Sequence, residues 1–166
     1  PQGDRFLILS WLSCFLLIDF AGTRPMTRFE GSAGSGKTTA SKITSTLLYG
    51  EPQHKKATDA ANYTDGSQNP LIVLDNIEVK QMTEDLTTFM LTSITGIAKE
   101  KRKSGTDSET ITERTKCLLN TTGIEPLCGE LSEILSRSFV INFDLANQAS
   151  DCFLESEVIS AIQQNR

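Results

Sequence analysis

The chain has 166 residues, a net charge of −5, 38% hydrophobic residues and 22% charged residues. These values are typical of one soluble globular domain with a real hydrophobic core. They exclude a surface that is basic throughout, so any basic binding site must be local.

The cysteine pattern argues against a zinc site and against a disulfide framework, because no two cysteines form a CxxC pair and there is one histidine. Reduced thiols in a cytoplasmic protein are the simpler interpretation. The four cysteines are Cys14, Cys117, Cys128 and Cys152, and the histidine is His54.

The first predicted element is an apolar helix over residues 6–20. As a helix this segment spans about 22 Å, less than the roughly 30 Å hydrocarbon core of a bilayer. It also contains two serines and an aspartate, and no small-residue cleavage pattern follows it. We therefore expect a buried helix beside the core and no membrane insertion.

A glycine-rich loop follows a short predicted strand over residues 26–30 and precedes a predicted helix over residues 37–49. Residues 31–38 read G-S-A-G-S-G-K-T. They match the phosphate-loop pattern G-x-x-x-x-G-K-[ST] at every fixed position. We call residues 31–38 the glycine loop.

The glycine loop has the residue types that a triphosphate requires. Gly31, Gly34 and Gly36 leave the backbone N–H groups open and permit positive φ, and the following helix directs its positive end at the phosphates. Lys37 can reach the β and γ phosphates, and the Thr38 hydroxyl can ligate Mg²⁺. We predict ATP and Mg²⁺ as ligands, with the nucleotide contacts Gly31, Ala33, Gly34, Ser35, Gly36, Lys37, Thr38 and Thr39.

An aliphatic run over residues 71–74 predicts a buried strand of a parallel sheet. It ends at Asp75. Downstream of a glycine loop, a carboxylate at that position is typical of the acid that holds Mg²⁺, so Thr38 and Asp75 are the predicted metal ligands. The preceding residues 51–69 are polar and predict mostly loop, with a short helix around 57–63.

A predicted helix over residues 83–97, capped by Thr83, leads into a polar excursion or hairpin over residues 99–115. Residues 99–103 read KEKRK, the densest basic stretch of the chain. Basic side chains on a projecting loop suit contacts with a nucleic-acid backbone, although a solvated charged loop fits the residues equally well. The predicted nucleic-acid contacts are Lys99, Lys101, Arg102 and Lys103.

Two polar residues follow apolar segments in the last third of the chain. Asn120 ends a predicted strand over residues 117–119 and either orients the attacking water or is a turn residue. Arg137 ends a predicted helix over residues 130–136 and either reaches a neighbouring subunit's γ phosphate or caps its own helix. A strand over residues 139–143 and a helix within residues 150–166, capped by Ser150 or Asp151, complete the chain.

Strands that alternate with helices predict an α/β fold, a three-layer sandwich around a mainly parallel central sheet. The order of GSAGSGKTT, LIVLDNIE, KEKRKSGTD, CLLNTTGIEPL and ELSEILSRSFVINF resembles the AAA+ class of P-loop ATPases. More narrowly, it is similar to superfamily 3 helicase-like and primase-associated ATPases of phages, plasmids and integrative elements.

The resemblance implies ATP hydrolysis coupled to movement on DNA during replication of a phage or mobile element. It implies a sensor role for Asn120, an arginine-finger role for Arg137 and a DNA-contacting hairpin at residues 99–103. It also implies a homo-oligomeric ring, with a hexamer expected. Residues 1–166 would then form one ATPase core, which we expect to be a piece of a longer protein.

Two features depart from the resemblance. Many AAA+ enzymes have a glutamate general base directly after the metal-binding aspartate, whereas Asn76 stands there and Glu78 is the nearest acid. Residues 49–70 are also short for a strand–helix–strand insertion, so the standard second strand is expected to be reduced or missing.

Two other functions compete with a DNA motor. One is an AAA+ switch or loader that remodels a protein partner without translocating on DNA. The other is a small-molecule kinase, which is disfavoured because the sequence shows no sign of a mobile, arginine-bearing lid.

Overall fold

The computed structural model describes residues 2–53, 59–102, 110–127, 131–145 and 154–166. Its elements, in chain order, are α1 (Gln2–Leu16), β1 (Met26–Gly31), α2 (Lys37–Tyr49), α3 (Asp59–Gln68), β2 (Leu71–Leu74), a short 3-10 helix (Val79–Gln81), α4 (Glu84–Thr95), β3 (Lys99–Arg102), β4 (Thr110–Glu113), β5 (Leu118–Gly123), α5 (Ser132–Leu135), β6 (Ser138–Phe143) and α6 (Glu155–Gln164).

The central sheet has four strands in the order β2-β5-β1-β6, and all three pairings are parallel. The predicted α/β fold with a parallel sheet is therefore confirmed. β5 lies between the strand that enters the glycine loop and the strand that precedes Asp75. Because the carboxyl ends of parallel strands share one edge, the ends of β1, β2 and β5 meet there, which is where open α/β sheets bind ligands.

Apolar clusters on both faces of the sheet give the three layers. On one face, strand residues such as Leu74 pack with α3, α4 and α5 through Phe89 and Ile134. On the other face, strand residues pack with α1 and α2 around Trp11. Burial in the first cluster raises the pKa of Cys117 to about 11, so this residue stays a neutral thiol near pH 7.

β1 is a polar strand in the interior of the sheet, and its polar groups are paired. Arg28 is fully buried; its Nε donates to Glu30 Oε1 at 2.7 Å. Its Nη1 and Nη2 each donate to the Ile77 carbonyl at 3.2 Å, and Nη2 donates to the Glu125 carbonyl at 2.8 Å. These contacts compensate for the burial of the charge and tie β1 to the segments after β2 and β5.

The first helix differs from the prediction for residues 6–20, because it spans Gln2–Leu16 and only one side of it is buried. Trp11 is fully buried, whereas Phe6 is 70% exposed and Leu16 is 79% exposed. Trp11 Nε1 donates to the Pro25 carbonyl at 2.9 Å, which holds the helix to the start of β1. In the part of the chain that the structure describes, no helix is long and apolar enough to cross a membrane.

α3 is longer than the helix predicted around residues 57–63. Its sequence contains weak helix formers, but Tyr63 packs edge-on against Phe89 with ring centroids 5.2 Å apart. Tertiary packing therefore overrides the local propensity. The described residues between α2 and β2 include no strand, in agreement with a reduced or missing second strand.

The strand that was predicted to end at Asn120 continues to Gly123, and this prediction was wrong. The run Asn-Thr-Thr after the aliphatic residues stays in register with β1, with Thr27 opposite Asn120 and Phe29 opposite Thr122. Polarity marked the end three residues too early, because the sequence does not show the partners that satisfy these buried side chains. The predicted caps of the last helix, Ser150 and Asp151, lie outside the described residues.

Candidate nucleotide-binding site

The glycine loop connects β1 to α2 through three glycines with positive φ: 148° at Gly31, 78° at Gly34 and 93° at Gly36. A Cβ atom at Gly31 would lie 2.1 Å from the Phe143 carbonyl oxygen, so no other residue fits there without movement. The loop is therefore open backbone at the start of a helix, the geometry that binds anionic groups.

Lys37 lies across the glycine loop and is 8% exposed. Its Nζ donates to the carbonyl oxygens of Gly31 and Ser32, both at 2.7 Å, and to Ser35 Oγ at 3.4 Å. The ammonium group is therefore placed inside the curve of the loop, where a phosphate chain would meet it.

Asp75 follows the last residue of β2 and accepts two hydroxyl hydrogen bonds on Oδ1. Thr38 Oγ1 donates to it at 3.0 Å, and Thr122 Oγ1 donates at 2.7 Å. The first turn of α2 and the ends of β2 and β5 thus converge on one carboxylate. The structure brings the two predicted metal ligands, Thr38 and Asp75, into direct contact.

Thr122 is a site residue that the sequence analysis missed. Besides donating to Asp75, its Oγ1 accepts the N–H of Asn76 at 2.8 Å, and its carbonyl accepts the N–H of Ile77 at 2.8 Å. Asn76 has a left-handed φ of 57°, which asparagine tolerates better than most residues. Thr122 therefore fixes both the acid and the backbone turn that follows it.

Asn120 lies two residues before Thr122 on β5, roughly 7 Å along the strand, and is fully buried. Its Oδ1 accepts from Ser41 Oγ at 2.5 Å, and its Nδ2 donates to Thr27 Oγ1 at 2.9 Å. These two hydrogen bonds of Asn120 join α2 and β1 in the interior of the protein.

Glu78, the acid nearest to the position of a general base, binds backbone instead. Its Oε1 accepts the N–H of Ile124 at 2.7 Å, and its Oε2 accepts the N–H of Glu125 at 3.2 Å. Both carboxylate oxygens therefore hold the segment after β5 in place.

Arg137 lies at the opposite edge of the sheet from the glycine loop of its own chain. Its carbonyl accepts the N–H of Met26 at 3.2 Å, and Met26 and Gly31 are the two ends of β1, roughly 16 Å apart at the rise of a strand. The guanidinium forms a 3.4 Å ion pair with Glu133. Arg137 is thus not part of the site that Thr38 and Asp75 form.

The other predicted contacts have various surroundings. Thr39 Oγ1 donates to Glu155 Oε2 at 2.6 Å, and Ala33 is exposed at the tip of the glycine loop. Lys99, Lys101 and Arg102 lie on β3, which pairs with β4 in an antiparallel hairpin as predicted. Lys103 lies outside the described residues.

Comparison with solved structures supports this fold. The apo C-terminal region of NrS-1 superposes with a TM-score of 0.53 at 19% identity, covering 95% of this chain and 37% of that one. SCCmec type IV Cch, an active helicase, superposes with a TM-score of 0.51 at 19% identity, covering 95% of this chain and 29% of that one. No family model and no curated protein matches the chain.

The chain thus has the fold of a region found in larger proteins, since it spans about a third of the length of each of these two structures. At 19% identity the likeness shows the fold alone, and a helicase-like fold agrees with part of the sequence-based resemblance.

Proposed function

We propose that the chain is a P-loop ATPase of the AAA+ class, the motor core of a helicase-like enzyme that acts in replication of a phage or mobile element. The observation that carries the proposal is the contact of Thr38 with Asp75 beside a loop of three positive-φ glycines. These two predicted metal ligands, distant in sequence, lie in contact at the carboxyl edge of the sheet.

The residues present fit ATP and Mg²⁺. The backbone at Gly31 leaves no room for a side chain, Lys37 supplies a positive charge inside the loop, and Thr38 and Asp75 supply oxygen atoms, the ligands that Mg²⁺ prefers. Bound Mg²⁺ would neutralise charge on the phosphate chain and polarise the bond that breaks.

The chain's own residues position the reaction rather than supply an obvious base. Thr122 holds Asp75 and the N–H of Asn76, and Glu78 holds the neighbouring backbone. The sensor role of Asn120 stays a prediction; Thr122 is a second candidate for it, because its hydroxyl contacts Asp75. We expect slow hydrolysis in the absence of a partner that completes the site.

The arginine-finger role of Arg137 is a proposal that requires a second subunit. Its distance from its own glycine loop means that it can act on a γ phosphate only across an interface, which agrees with the proposed ring, expected to be a hexamer. A cytoplasmic location stays a prediction.

Movement on DNA is proposed from the basic hairpin and from the fold shared with SCCmec type IV Cch, an active helicase. The alternative, a switch or loader that remodels a protein partner, uses the same ATP site. The two functions differ in the role of residues 99–103.

ATPase assays with and without single-stranded DNA distinguish a DNA motor from a switch or loader. Alanine at Lys101, Arg102 and Lys103 should abolish DNA stimulation and spare basal ATPase. The matched control replaces three exposed basic residues elsewhere, Arg5, Lys80 and Lys116, and should keep the stimulation. If the hairpin binds DNA, a plot of the logarithm of the DNA-binding constant against the logarithm of the salt concentration should also become less steep, by roughly 0.7 for each phosphate contact removed. Unchanged DNA stimulation in the hairpin variant would favour the switch or loader.

A further inference from the structure

The first residue of α6 contacts α2 directly beside the glycine loop. Glu155 Oε2 accepts from Thr39 Oγ1 at 2.6 Å, and Glu155 Oε1 accepts from Lys42 Nζ at 2.7 Å. Thr39 is the residue after Thr38, and Lys42 lies one helical turn further along α2. Both oxygens of a carboxylate thus bind near the positive end of the helix that follows the glycine loop.

The groups that bind the Glu155 carboxylate are of the kind that also bind phosphate groups. A hydroxyl donor and an ammonium group near a helix N-terminus are typical ligands of phosphate oxygens. The Thr39 hydroxyl has one proton, so it cannot donate to Glu155 and to a phosphate at the same time. A phosphate that approached Thr39 would also be repelled by the carboxylate.

We propose that Glu155 is an internal anion that competes with the nucleotide's phosphate chain for Thr39 and Lys42, and that nucleotide binding releases the start of α6. The proposal rests on the proposed function, because it concerns regulation of the same site. Glu155 lowers nucleotide affinity, and its release transmits the occupancy of the site to α6.

The contacts at the other end of α6 show how the helix would move. Gln163 Nε2 donates to the Gly50 carbonyl at 2.9 Å, and Arg166 donates to the Leu48 carbonyl. α6 therefore runs alongside α2, with its start near the glycine loop and its end near the end of α2. Between them lies an open groove of about 1000 Å³ whose lining includes Leu47 and Val158. Loss of the Glu155 contacts would free the first turns of α6 while its last turn stays attached.

A purely structural role for Glu155 makes a different prediction. If Glu155 only attached α6 to α2, removal of its charge would loosen α6 and leave ATP affinity unchanged or weaker. A competitor predicts the reverse, namely tighter binding together with a looser helix.

The test compares Glu155→Gln with Glu157→Gln, which makes the same charge change in the same helix. The Glu157 carboxylate accepts the N–H of Leu154 at 3.1 Å, a bond that glutamine can also accept. Equilibrium titrations give the Kd of ATP and of ADP with Mg²⁺, and hydrogen exchange follows the amides of residues 157–162.

We expect Glu155→Gln to bind ATP about fivefold more tightly, the scale of one partly exposed charged contact, and the control to stay within about twofold. ATP should speed exchange in the first turns of α6 in the unmodified protein, whereas in Glu155→Gln this exchange is already fast without ATP. In a Thr39→Val background, Glu155→Gln should produce little gain in ATP affinity, because the hydroxyl for which the two anions compete is absent.

Two results separate failure of this inference from failure of the proposed function. If the unmodified protein binds ATP and Glu155→Gln binds it equally or less tightly, the inference alone is overturned. If neither protein binds ATP, the proposed function is overturned and the inference with it.

Discussion

At the scale of single residues, the side chains of Thr122 and Asn120 bond to different parts of the molecule. Both lie on β5 and both make two side-chain hydrogen bonds. The bonds of Thr122 reach the carboxylate and the backbone of the site, whereas those of Asn120 reach α2 and β1 in the interior.

We therefore expect one substitution to lower catalytic rate and the other to lower stability. Thr122→Val should lower kcat by roughly 10- to 100-fold, because one hydrogen bond to a charged group is lost, and should change the Kd of ATP by less than about threefold. Asn120→Ala should instead lower the free energy of unfolding by about 2–3 kcal/mol, since Ser41 and Thr27 lose a buried partner. Steady-state ATPase assays and urea unfolding measure the two effects. An Asn120→Ala protein of normal stability with strongly reduced kcat would support the sensor role of Asn120.

Sequence alone identified Lys37, Thr38 and Asp75 as site candidates, and the structure brings them together, because a phosphate-binding loop constrains residue type at fixed spacing. Thr122 and Glu155 could not be found in this way. Each acts through a partner 47 or 116 residues away, and threonine and glutamate at these positions have no local pattern. The one available signal for Thr122 was a polar residue following the aliphatic run, which pointed to Asn120 first.

At the scale of elements, prediction succeeded where local chemistry sets the boundaries. α2 spans the predicted residues and is followed by the capping residue Gly50 with a φ of 81°. Thr83 caps α4 by accepting the N–H of Leu86 at 3.1 Å. It failed at the end of β5 and for the second half of α3, where buried polar groups or packing depend on residues distant in the chain.

The glycine loop offers an element-scale prediction with an internal control. Gly31→Ala adds a Cβ atom 2.1 Å from the Phe143 carbonyl, whereas a Cβ atom at Gly34 meets no atom within 4 Å. Thermal or urea unfolding should show a loss of roughly 2–4 kcal/mol for Gly31→Ala and of about 1–2 kcal/mol for Gly34→Ala, where positive φ is the main cost. Equal losses would mean that the end of β6 does not constrain the loop.

At the scale of the whole molecule, Arg137 and the glycine loop lie beyond opposite ends of β1. Arg137 lies beyond the amino end of β1 and the glycine loop lies at its carboxyl end, so the two do not meet within one chain. The proposed arginine-finger role therefore requires a ring in which Arg137 of one subunit meets the glycine loop of the next.

Mixing of two inactive variants tests this arrangement. Arg137→Ala keeps an intact glycine loop, and Asp75→Asn keeps an intact Arg137. If Arg137 acts across an interface, mixed assemblies should recover part of the ATPase activity that each variant lacks alone. No recovery at any mixing ratio, with both proteins assembled as judged by light scattering, would contradict a role in trans.

The central claim is that this chain binds ATP through the glycine loop, and a titration of ATP with Mg²⁺ tests it most directly. The unmodified protein should bind ATP, and Lys37→Ala should lose roughly 10- to 100-fold in affinity. The control is Lys80→Ala, which replaces an exposed lysine in the short 3-10 helix between β2 and α4 and should bind ATP normally. Unfolding curves confirm that each variant is folded. Unchanged ATP affinity in a folded Lys37→Ala protein would contradict the account.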